Sequence, residues 1–194
     1  ILLKQIITTS GFDGVIGLYM LDLQTGQEIH FALNQGQAIS IQPDVAFTAS
    51  STIKIPILIS YYIKNGSEPV DEQTQAMIVE MIRKSDNNAS DAMMNRIDIN
   101  TGPLIVTQNM KTIGLQDTFL AGFFSPGSPL LQRFVTPSNS RTDIFTDPDL
   151  YNQTTPVDMG SLMADLYQCA TASGGALIAA FPDKITSQIC QQII

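Results

Sequence analysis

A helix that is apolar on nearly every side has to be surrounded, and this chain carries one. From Ser51 onward Ile53, Ile57, Leu58, Tyr61 and Tyr62 recur at helical spacing, and Asn65-Gly66 supplies a stop. The apolar run Ile55 to Ile63 is interrupted by Pro56 and Ser60 and is far too short to cross a bilayer. Such a segment is stable only as a mostly buried helix, so the rest of the chain must wrap it. At 194 residues, with 44% hydrophobic and only 14% charged side chains, the chain has the material to do so in one compact unit. One domain over residues 1–194 is therefore expected.

The flanking segments supply the wrapping. Val15 to Leu23 reads as a strand, Gln24-Thr25-Gly26 as a turn, and the return strand places Ile29, Phe31 and Leu33 on one face. Glu28, His30 and Ala32 fall on the other, which predicts a half-buried hairpin over about 14–34 with a solvated His30. Residues 34–48 are mixed and turn-rich. Beyond the central helix, Asp71 can cap a helix carrying Met77, Ile78, Met81 and Ile82. A third helix puts Ala89, Ala92, Met93 and Ile97 on one stripe, with Asp91 and Arg96 outside. The stretch from Gly122 to Gln153 has four Pro and two Gly and no sustained period, and loops of that length in compact chains tend to be functional or disordered. Thr155-Pro156-Val157-Asp158 is a strong helix start, with Thr as cap, Pro in the first turn and an acid that complements the dipole. Gly174-Gly175 breaks that helix, Ala176 to Ala180 reads as a short one, and Thr186 can cap the last. A helical part over about 51–170 results.

Two short motifs carry chemistry. Ser51-Thr52-Ile53-Lys54 sets a hydroxyl and an amine three residues apart at the start of the apolar helix, on one face. The positive end of the helix dipole and the neighbouring Ile53, Ile55 and Ile57 push such a lysine towards its neutral form, able to accept the serine proton. By chance alone a chain this long contains roughly one S-x-x-K. Ser85-Asp86-Asn87 is much rarer, and it sits between two helices, where it can cap a helix or present a hydroxyl and an amide to a substrate.

In this order the two motifs match the signature of penicillin-interacting serine enzymes, whose third element is K-T-G. The sequence resembles the class A β-lactamase-like serine hydrolase family in the hairpin from Asp22 to His30, in FTASSTIKIPIL, in RKSDNNASDAMM and in TTPVDMGSLMADLY. The resemblance implies an α+β, β-lactamase/transpeptidase-like fold: an antiparallel sheet with helices packed on it, beside a helical subdomain. It implies Ser51 as acylated nucleophile, Lys54 as general base, Ser85 as proton shuttle and Asn87 as a substrate-contacting amide, with Asp86 structural. No cofactor or metal is expected. The implied substrate is a β-lactam or peptide-like amide, and the implied location is secreted or extracytoplasmic, although residues 1–10 have no signal-peptide pattern.

The sequence departs from the family at three places. Ser85 follows Ser51 by only 34 positions, which implies a trimmed helical subdomain and a more open cleft. No K-T-G strand is present; Lys111-Thr112-Ile113-Gly114 is a decoy, and the C-terminal strands are expected to lie beyond Ile194. The family's R-x-E…L-N loop has no counterpart with Glu, since residues 91–194 contain none. Asp143 in Arg141-Thr142-Asp143 and Asp147 in Asp147-Pro148-Asp149-Leu150 are the substitutes for the carboxylate that activates water. Two readings compete with the hydrolase: a non-catalytic cell-envelope binding domain of the same fold, and a glutaminase-like amidohydrolase.

The remaining residue types narrow the field. A net charge of −8 argues against nucleic acid or anionic lipid as partner. His30 is the only histidine, so a Ser-His-Asp triad has little to draw on. Cys169 and Cys190 lack metal-site spacing and leave a disulfide and two buried thiols equally open; export would favour the disulfide.

Overall fold

The computed structural model describes residues 2–42 and 44–194. A short helix α1 (Leu2–Thr9) leads into strands β1 (Val15–Leu21), β2 (Glu28–Asn34) and β3 (Gln37–Ile39). They form an antiparallel sheet in the order β1-β2-β3, with Tyr19 opposite His30 and Gly17 opposite Ala32. The sequence left residues 34–48 without strands. β3 exists because Gln35 and Gly36 both take positive φ, 49° and 75°, the backbone of a two-residue hairpin whose twist matches that of its strands.

The strand alternation expected for β2 is overridden at its end. Phe31, Ala32 and Leu33 are all buried, while Ile29 is exposed. Both faces of the sheet are covered there. Lys4 of α1 lies over the Phe31 ring, and on the opposite face a β-carbon at Gly17 would sit 2.9 Å from Pro156. His30 is likewise not a free surface group: its Nε2 is 3.1 Å from Asp44 Oδ1, and its ring meets Tyr19 edge-on.

After β4 (Phe47–Thr48) and one 3₁₀ turn (Ser50–Ile53) comes the central helix α2 (Lys54–Asn65). Eight of its residues are buried, Lys54 and Ser60 among them. Helix α3 (Glu72–Arg83) begins at Asp71, whose Oδ1 accepts the Thr74 N–H. Helix α4 (Asn87–Ile97) begins at Asp86, whose Oδ1 accepts the Ala89 N–H. Helix α5 (Gly102–Thr112), which is not among the helices expected from the sequence, opens with Gly-Pro and closes the bundle against α2 and α4. Its glycine is obligatory: a β-carbon there would lie 2.3 Å from the Met94 carbonyl oxygen.

Strand β5 (Phe119–Leu120) precedes the long irregular stretch, and β6 (Asn152–Thr154) ends it. A second small antiparallel sheet, in the order β4-β6-β5, joins these to the segment just before the 3₁₀ turn. The long helix α6 (Pro156–Ala172) then packs on β1, followed by α7 (Ala176–Ala180) and α8 (Ser187–Ile193). Thr155 and Thr186 cap α6 and α8 as their sequence contexts predict. A disulfide between Cys169 and Cys190 ties α6 to α8. The core gathers around α2, from Ile53, Ile57 and Ile59 to Met93, Met110, Leu162 and Leu177. Among the described residues no helix is long and apolar enough to cross a membrane.

Candidate active site

The first turn of the central helix decides the geometry. Ser50 to Ile53 wind as a 3₁₀ turn, in which residues i and i+3 eclipse one another, before the α-helix proper begins at Lys54. Ser51 therefore stands directly beneath Lys54, and Lys54 Nζ reaches its Oγ at 3.3 Å. The turn is pinned from a distant part of the chain: Asn152 Oδ1 in β6 accepts the Ser50 N–H at 2.8 Å. Ser50 holds a positive φ of 50°, an unfavourable conformation for a residue with a side chain.

The loop between α3 and α4 brings the second group. Ser85 also takes positive φ, 57°, which turns both its carbonyl and its hydroxyl toward the first turn of α2. Its Oγ donates to Ser51 Oγ at 2.5 Å. Lys54 Nζ donates to the Ser85 carbonyl oxygen, to Ser85 Oγ at 2.9 Å and to Asn87 Oδ1 at 2.9 Å. Ser51, Lys54, Ser85 and Asn87 thus form one connected cluster, with the ammonium group buried and the Ser51 and Ser85 residues exposed to solvent. Asp86 takes no part in it as a ligand; it caps α4.

Burial holds the Lys54 amine below the usual lysine range, and the nearby Asp86 carboxylate partly opposes that. Two of the four Nζ partners, the Ser85 carbonyl and the Asn87 amide oxygen, can only accept. A neutral amine satisfies both with its two N–H groups and leaves its lone pair for a serine hydroxyl.

The two aspartates proposed for water activation lie elsewhere. Asp143 receives the Arg141 guanidinium, Nε to Oδ1 at 2.8 Å, which holds its carboxyl below the usual range. Neither Asp143 nor Asp147 is hydrogen-bonded to Ser51, Lys54 or Ser85. The group that the long loop does bring to Lys54 is an aromatic ring: the Phe124 centroid is 5.5 Å from Nζ.

That placement depends on a buried carboxylate of α4. Asp91 was expected on the outside of α4, yet it is 7% exposed. Its carboxylate accepts the Phe124 N–H at 2.7 Å, the Ser125 N–H at 2.9 Å and the Ser125 hydroxyl. Charge among apolar neighbours at helical spacing reads as a surface residue; only the partners, more than thirty positions away, make its burial affordable. Next to Phe124 is a cavity of about 260 Å³, lined also by Leu120, Phe123, Tyr151 and Asn152. Among the described residues no group of three or more His, Cys, Asp or Glu side chains is placed to hold a metal ion.

Comparison with known proteins agrees with this architecture. The model of the beta-lactamase enzyme family matches residues 2–78 and 63–181. Among solved structures, the beta-lactamase from Desulfarculus baarsii superposes with a TM-score of 0.61 at 18% identity over 99% of this chain. An ancestral class A beta-lactamase, the last common ancestor of Gram-negative bacteria, and the beta-lactamase from Streptosporangium roseum superpose with TM-scores of 0.61 and 0.62 at 16% identity, over 99% and 98% of this chain. The chain spans 66% of the Desulfarculus and Streptosporangium proteins and 68% of the ancestral one. No curated protein matches it.

Proposed function

Since the chain belongs to the beta-lactamase enzyme family, we propose that it is a serine acyl-transfer enzyme that acts through an acyl-Ser51 ester on a β-lactam or a peptide-like amide. The observation that carries this reading is the convergence of Ser51, Lys54, Ser85 and Asn87 within hydrogen-bonding reach. The neutral Lys54 amine takes the Ser51 proton as Oγ attacks the carbonyl carbon. The Ser51 N–H, at the head of its turn, is one donor for the developing oxyanion. Ser85 Oγ touches both Lys54 Nζ and Ser51 Oγ, so it relays that proton to the amide nitrogen as the C–N bond breaks. Asn87, held by Lys54 through its oxygen, offers its NH₂ group to the substrate's acyl amide.

Hydrolysis of the ester is the slow step. It needs a water and a base, and the carboxylates available in the long loop are engaged elsewhere or unconnected to the cluster. The adduct then persists, as in a penicillin-binding protein. Such chemistry belongs outside the cytoplasmic membrane, which fits the Cys169–Cys190 disulfide.

Intact-mass measurement after treatment with benzylpenicillin tests the reading. One added penicilloyl group is expected, mapping to Ser51, lost in Ser51→Ala and strongly slowed in Lys54→Met. An unmodified mass at saturating penicillin, with the native fold retained, would sink it.

A further inference from the structure

We propose that Phe124 is the barrier between Lys54 and solvent, that Asp91 is the positioning residue that holds it there, and that this barrier sets the lifetime of an acyl-Ser51 ester. The second half of the proposal rests on the acyl-enzyme reading above; the first does not.

The Phe124 ring borders two places at once. It lies 5.5 Å from Lys54 Nζ, and it also forms part of the wall of the cavity of about 260 Å³ between the Phe123–Ser128 segment and residues 149–152. That cavity is large enough for several water molecules. Lys54 itself is 2% exposed, and it does not line the cavity. The ring is the partition. It excludes water from the amine and, carrying no acid or base, gives back nothing that could activate a water.

A loop residue can act as a wall only if its backbone is fixed. Two successive N–H groups, those of Phe124 and Ser125, converge on the buried Asp91 carboxylate, and the Ser125 hydroxyl joins them. Three donors on one buried anion form a strong clamp, since charge-assisted bonds are about twice as strong as neutral ones. The Asp91 carboxylate is hydrogen-bonded to neither Lys54 nor Ser51, so its effect on the site passes through the loop.

Removing the wall opens a route for hydrolysis. A water beside Lys54 attacks the acyl carbonyl and its proton passes to the Lys54 amine. The C–O bond to Ser51 breaks, and Ser51 Oγ regains a proton through Ser85. No other reactant is required.

Two readouts on the intact protein test this. The first is reductive methylation of Lys54 by formaldehyde and cyanoborohydride across pH 6–9, followed by peptide mapping, which does not depend on acylation. The second is the lifetime of the benzylpenicillin adduct by mass. In Phe124→Ala, methylation of Lys54 should rise on the order of tenfold relative to Lys184 in the same molecule, and the adduct lifetime should fall by a similar factor. Phe124→Leu should restore most of both. Asp91→Asn, which keeps the size but must point its NH₂ at one of the two N–H groups, should reproduce the Phe124→Ala change, and the double variant should show no further gain. A merely structural role for Asp91 would lower thermal stability without a selective rise at Lys54. Unchanged Lys54 methylation in a folded Phe124→Ala protein overturns the barrier, and faster methylation with an unchanged adduct lifetime overturns its link to the ester. Absence of any adduct on the parent protein would instead sink the acyl-Ser51 reading and leave methylation to decide the role of Phe124.

Discussion

Single residues in this protein behave according to their partners rather than their type, and Asp158 shows it. As an acid at the third position of α6 it is expected to stay ionised beside the helix dipole. Its carboxylate instead points inward, where Oδ2 accepts the Asp117 N–H and the Thr118 hydroxyl, both at 2.9 Å. Burial outweighs those bonds and pushes it up to about 6, with the Asp117 and Asp44 charges adding to the effect. The native state therefore holds a proton that the unfolded chain has released between about pH 4 and pH 6. This group's stabilisation is complete below pH 4 and is lost as pH rises through 6. Asp158→Asn keeps an acceptor and removes the charge. It should match the parent at pH 3.5 and be more stable by roughly 3 kcal/mol at pH 7. Urea titrations at the two pH values check it, and an equal difference at both would contradict it. The same lesson governs what could be read beforehand. Ser51 with Lys54, and Ser85 with Asn87, are found from their spacing because each pair sits on one local turn, although the two pairs meet across 34 positions. Asp91, Phe124 and Asp158 act through partners 33 or more positions away, which no local pattern encodes.

Elements were legible in the sequence where they cap themselves. Asp71, Thr155 and Thr186 each precede a helix and each accepts the expected N–H. Helix α5 escaped because its N-cap, Thr101, makes no side-chain capping bond and its apolar stripe is broken by Thr107 and Asn109, both buried through contacts elsewhere. The junction of α4 and α5 is a close backbone approach. Gly102→Ala would press a methyl group on the Met94 carbonyl, whose oxygen also accepts the Asp98 N–H. Helix α4 or α5 has to shift, and a loss of about 1–3 kcal/mol is expected in denaturant titration. A second test concerns α8, a helix of two turns that could not stand alone. The disulfide closes a loop of sequence separation 21 between it and α6. Replacing both cysteines by serine should cost roughly 3 kcal/mol. No change in the unfolding midpoint would mean that α8 is held by Leu166, Ile185 and Ile189 alone.

At the scale of the whole molecule, the buried central helix follows from one apolar segment and the material available to cover it, whereas the α+β architecture was legible through the family resemblance. The long irregular stretch was legible only as a gap in periodicity. It is in fact fixed at many points: to Asp91, to Asp117 through the Ser138 N–H, to Ala46 through the Thr146 hydroxyl and to Thr48 through the Asp149 N–H. The last two bonds, with the pairing of Phe47 to Thr154 and Thr48 to Gln153, join parts of the chain about a hundred residues apart, and the Ser50–Asn152 bond extends the same seam to the proposed nucleophile. Local helices form in microseconds, whereas closing a seam of that span comes late because its entropy must be met before its contacts reward it. The order of events in refolding follows. Far-UV ellipticity should recover first and the capacity of Ser51 to be acylated should recover afterwards, as a separate and slower phase. Asn152→Ala should lengthen that lag while leaving the early ellipticity phase unchanged. Pulse labelling with a fluorescent penicillin during refolding would measure the delay, and simultaneous recovery of the two signals would refute it. On the proposed chemistry, the seam between β4 and β6 would act as a clock, with the chain compact before it is reactive.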